Sequence, residues 1–80
     1  MFGRRNPSPK DVREGNLYQR EYDGRVVEIA KVVELYGDRA GVPHVRYELS
    51  YQRPTRADFE GLRVLALQSF VERYHAAAGE

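Results

Sequence analysis

The side chains with which this chain could do chemistry are few. There are two histidines, His44 and His75, three serines, twelve carboxylates and no cysteine. The missing thiols exclude disulfides, thiolate nucleophiles and Cys-ligated zinc, and they favour a cytoplasmic home. His44 and His75 show no HxH, HxxxH or HExxH spacing, so neither a metal nor a cofactor is expected. Ser8, Ser50 and Ser69 lack a nucleophile-elbow context, and the glycines match neither GxGxxG nor the phosphate-cradling loop pattern. Carboxylates come singly along the chain. A catalytic pair could still meet in space, but a domain of this size leaves little concave volume for a pocket of about 300 Å³. A non-enzyme is the expectation.

The remaining chemical signal lies in arginine and tyrosine. Eleven of the thirteen basic residues are Arg, and six residues are Tyr. Arg offers a planar fork to phosphate or carboxylate. Tyr stacks on bases or anchors protein interfaces. Tyr18, Arg20, Arg46 and Arg53 could share one strand surface and, with Arg4 and Arg5, form a face for a partner or for nucleic acid. Glu28, Glu34 and Glu48 would share that surface and cancel much of its field. The net charge is only +1, so a protein partner is expected ahead of a nucleic acid. The chain has no apolar run of about 18 residues, so no membrane span is expected.

The charge is unevenly placed. Residues 1–13 contain Arg4, Arg5, Lys10 and Arg13 against Asp11, net +3, and residues 14–80 carry net −2. Pro7 and Pro9 remove backbone donors and disfavour helix in the residues before them. No apolar periodicity runs through this stretch, so residues 1–13 read as a flexible basic arm and 14–80 as a single small domain. The arm lacks the apolar core of a secretion signal.

The body must position whatever the arginines and tyrosines do. Residues 17–22 read as a strand, followed by Asp23-Gly24 as a two-residue type I′ turn with φ > 0 at both residues. Residues 26–36, VVEIAKVVELY, are rich in β-branched side chains and read as a second strand, with an amphipathic helix as the alternative. Both faces of that strand are apolar. A bend through a barrel or a second subunit on one face would each account for this, and Val26, Ala30, Val32 and Tyr36 form a candidate self-association face. In residues 44–52 Val45, Tyr47, Leu49 and Tyr51 alternate with polar side chains, a clear period of two. Residues 37–43 and 53–61 read as loops around Gly and Pro. GLRVLAL, residues 61–67, reads as a short fourth strand. Ser69 and Glu72 fit a capping box that opens a helix over 70–78, with His75 near its end and Gly79 as its stop.

This order predicts a mainly β (β+α) fold, either a small barrel or a bent antiparallel sheet of about four strands with a C-terminal helix. Gly15, Tyr18 and Arg20 at the opening, Val45 and Tyr47 in the third strand, and Leu67 and Phe70 at the close carry a resemblance. Over residues 15–74 the chain resembles small bacterial domains of SH3-like barrel form. Such domains are mostly binding modules, so the resemblance implies an interaction role and no catalytic residues, and the doubly apolar second strand leaves homodimerisation open.

Overall fold

Alternation in residues 44–52 sets one face of a long central strand against the core, and the fold is built around it. A computed structural model of the chain describes residues 6–76. Its elements are β1 (Leu17–Tyr22), β2 (Val26–Gly37), β3 (Pro43–Arg53), β4 (Arg56–Ala66), α1 (Leu67–Arg73) and β5 (His75–Ala76). A short 3₁₀ turn at Pro9–Asp11 precedes them. The strands form one antiparallel sheet in the order β4-β3-β2-β1-β5. The fold is thus mainly β, with a single α-helix among the described residues, and the sheet is open rather than closed into a barrel. Its described strands number five, because the last described residues add a short strand beyond β1.

β2 is a strand, and a bulge explains its two apolar faces. The pairing with β3 slips between Val32 and Glu34, so one extra residue reverses the side-chain alternation. Glu28, Ala30 and Val32 point to the core before the slip, and Leu35 packs against it afterwards. Val27, Ile29 and Tyr36 therefore fall on the opposite face. Val27, Ile29 and Tyr36 stay half-buried on the face that the helix does not cover.

Three sequence expectations are corrected. The first hairpin has three loop residues, Asp23–Arg25, between the paired Tyr22 and Val26. Positive φ falls on Gly24 and Arg25, and Asp23 keeps negative φ. Residues 53–61 are not a loop. The chain turns at Pro54–Thr55 between the paired Arg53 and Arg56, and β4 runs on from there. A second bulge at Glu60, beside Gly61 with φ 107°, breaks the alternation of β4 and hides it from a period-two search. The helix spans Leu67–Arg73, with Ala66 at its N-cap and Ser69 inside it, and no side chain caps it. It stops where Tyr74 becomes extended, because His75 and Ala76 pair with the open edge of β1. His75 is therefore a strand residue, and Ala78 and Gly79 lie outside the described residues.

Residues 6–13 are the described part of the expected arm. Arg4 and Arg5 lie outside the described residues, but the part that is described packs onto the body. Val12 is 2% exposed within the core. Gly15 and Asn16 exchange backbone hydrogen bonds with Val32, and the Asn6 amide donates to the Val71 carbonyl. The core itself is a two-layer stack. Phe70, Val71 and Tyr74 pack on Tyr18, Ala30, Val32, Val45, Tyr47 and Leu49. Phe70 meets Tyr18 and Tyr47 edge to face at 5.5 and 5.3 Å, the favoured geometry for aromatic quadrupoles.

Candidate interaction surface

The helix covers one face of the sheet. The opposite, outer face is assembled by register. β3 contributes His44, Arg46, Glu48 and Ser50; β2 places Tyr36, Glu34, Lys31 and Ile29 beside them, and β4 places Ala66, Val64, Leu62 and Phe59. The apolar row on β4 is the most exposed part, with Phe59 68%, Leu62 56% and Val64 46% exposed. Three large apolar side chains stand in one row, a contiguous exposed strip rather than scattered surface residues. The charges beside them are balanced. Arg46 is ion-paired with Glu34 and stacks over Tyr36, and Lys31 faces Glu48 across the ladder.

The arginine–tyrosine surface expected from sequence is not assembled as such. Tyr18 is in the core, its hydroxyl donating to the Asp11 carbonyl and accepting from the Arg13 amide. Arg20 lies over Tyr22 on the helix-bearing face. Arg53 pairs with Asp58 and Arg46 with Glu34, on opposite faces of the sheet. The candidate self-association strand is likewise divided. Ala30 and Val32 are buried under the helix, Val26 is half-buried on the same face, and Tyr36 lies on the outer face stacked on His44 at 5.6 Å. β2 is paired with β3 over most of its length and with β1 over Val26–Lys31, and beyond β1 the Gly15, Asn16 and Glu14 segment bonds Val32 and Leu35.

Sequence reasoning missed the most connected polar group. Glu28 is 1% exposed, and its carboxylate accepts from the hydroxyls of Tyr22 and Tyr74 and from the Arg73 guanidinium at 3.1 Å. Burial pushes this carboxyl up, but the hydrogen bonds from Tyr22, Tyr74 and Arg73 together outweigh burial and hold it below its ordinary value of 4.5. Burial and the neighbouring Glu28 carboxylate push the Tyr74 hydroxyl up. No buried side-chain acceptor is left without a partner among the described residues, and the cluster fastens the helix end to β2. The sequence carried one signal for it: Glu28 stands between Val26 and Ala30 in the strand's core-facing alternation.

An open groove of about 660 Å³ runs between the Asn6–Asp11 segment and β1. It is larger than the sequence length suggested. Its one buried side chain, Tyr18, already spends its hydroxyl on the backbone, so the groove has no built polar site. Among the described residues no three metal-ligating side chains come together, and no helix is long and apolar enough to cross a membrane. Comparison with protein-family models, with curated proteins and with solved structures finds no match for this chain.

Proposed function

We propose that this chain is a non-catalytic protein-interaction module that docks through the outer face of its sheet. The exposed row of Phe59, Leu62 and Val64 carries the reading, since leaving three large apolar side chains in water works against a small domain with little core to spare. A nucleic-acid surface is the weaker reading, because Arg46 and Arg53 are committed to carboxylates on opposite faces. The test is native-mass fractionation of extracts from cells that make the protein. The chain is expected to migrate above the mass of one copy. A Phe59→Ser, Leu62→Ser, Val64→Ser variant is expected to migrate as one copy with an unchanged melting temperature. Wild type running at the mass of a single chain would defeat the reading.

A further inference from the structure

We propose that the occupant of the outer face is a second copy of this chain, packed face to face about a two-fold axis that crosses the strands at the level of Val32, Tyr47 and Arg63. This rests on the docking reading above and supplies its partner. An isologous interface must be complementary to itself, and the register provides that property. On one side of the Val32–Tyr47–Arg63 level the outer face presents Glu34, Arg46 and Val64; on the other it presents Lys31, Glu48 and Leu62. Reversing the strands about that level lays Arg46 over the copy's Glu48, Lys31 over its Glu34, and Leu62 over its Val64. One step further out, Phe59 falls over Ala66, Ile29 over Tyr36 and Ser50 over His44. Val32 and Tyr47 point into the core, so no charge on this face meets its own image. A two-fold along β3 would instead lay Arg46 on Arg46 and Glu48 on Glu48.

Face-on packing is favoured over edge pairing. β4 is the long edge of the described sheet and the two-residue β5 the other, but the bulge beside Gly61 and the charges Arg56, Asp58 and Arg63 obstruct a continuous strand–strand ladder along β4. Two sheets stacked with roughly aligned strands are an ordinary sandwich. Three strands spaced about 4.8 Å apart and roughly 30 Å long present on the order of 400 Å² per copy. The pair then hides about 900 Å², in the range of weak, transient contacts, so the dimer is weak and depends on concentration.

The test is the solution mass of the purified chain by sedimentation, from low to high micromolar, with folding checked by circular dichroism. Wild type is expected to rise from one copy to two. Glu48→Lys alone sets an ammonium over the copy's Arg46, and Arg46→Glu alone sets a second carboxylate over the copy's Glu48. Each is therefore expected to stay at one copy. Mixed together, the two variants place opposite charges over each other at both positions, and association is expected to return. The chain has no cysteine, which allows a second measurement independent of these charges. Oxidised mixtures of Leu62→Cys and Val64→Cys chains are expected to cross-link to each other more than either does to itself. Wild type staying at one copy throughout would overturn the second-copy proposal, while a face-dependent complex in extracts would leave the docking reading standing. A dimer indifferent to the charge changes, or a mixture that fails to recover, would overturn this geometry.

Discussion

Tyr74 donates its hydroxyl to the carboxylate of Glu28, 46 residues earlier in the chain, and both side chains are closed off from solvent. Arg73, next in sequence to Tyr74, reaches the same carboxylate from the half-open side at 3.1 Å. The end of α1 is thereby tied to the start of β2, and the chain turns directly into β5. Removing either buried member leaves the other, Glu28 or Tyr74, short of a partner away from water, which costs more than the bond itself contributes.

Glu28→Gln is expected to lower stability by about 2 kcal/mol at neutral pH, because Arg73 loses its anion and the tyrosines lose a charged acceptor. The wild-type carboxyl titrates below its unfolded value of 4.5. Its stabilisation is therefore complete above that value and is lost as the pH falls through the lower, folded value. Urea unfolding from neutral pH into acid should show a steeper loss for wild type than for the variant. Equal slopes would mean that Glu28 is not the group responsible.

Two phenylalanines should behave oppositely. Phe70 is fully buried against Tyr18, Tyr47 and Tyr74. Phe70→Ala is expected to cost about 3–5 kcal/mol, enough to consume most of the stability of so small a domain. Phe59→Ala removes an exposed ring and should leave the melting temperature of the single chain within about 2 °C of wild type. Thermal unfolding followed by circular dichroism separates the two.

The N-terminal segment contributes to the core through Val12. Val12→Asp is expected to destabilise by about 2 kcal/mol or more, since it buries a carboxylate in the cluster that holds Tyr18, Phe70 and Val71 without giving it a partner. Arg13→Asp, one residue later and exposed, serves as the control and should fall within about 0.5 kcal/mol of wild type. Similar chemical-denaturation midpoints for the two variants would show that the segment is dispensable.

Gly61 holds φ at 107° in the bulge of β4, while its added Cβ would meet only the Arg63 side chain at 3.6 Å. The cost of Gly61→Ala is therefore backbone strain, about 1–2 kcal/mol. Gly37 has no positive φ, and its added Cβ would meet nothing nearer than the Gly41 backbone at 4.0 Å, so Gly37→Ala should be close to neutral. A comparison of the two by urea unfolding checks the bulge directly.

The sequence by itself determined what depends on local chemistry. The uninterrupted alternation from Val45 to Tyr51 made β3 legible, and the β-branched run from Val26 to Val33 favoured a strand over a helix for β2. The missing thiols and scattered histidines removed whole classes of site. Tertiary structure decided everything that depends on which backbone groups find partners. Ser69 could have capped a helix, but the chain leaving β4 starts the helix at Leu67, and the open edge of β1 draws His75 and Ala76 out of it. The bulges at Val33 and Glu60 are invisible to any fixed period, yet they choose which side chains face the core. That choice buries Ala30 and Val32, exposes Phe59, Leu62 and Val64, and converts a glutamate in an apolar strand into the centre of a closed cluster. Burial is a property of the packed sheet, and a linear pattern carries it only where the alternation runs unbroken.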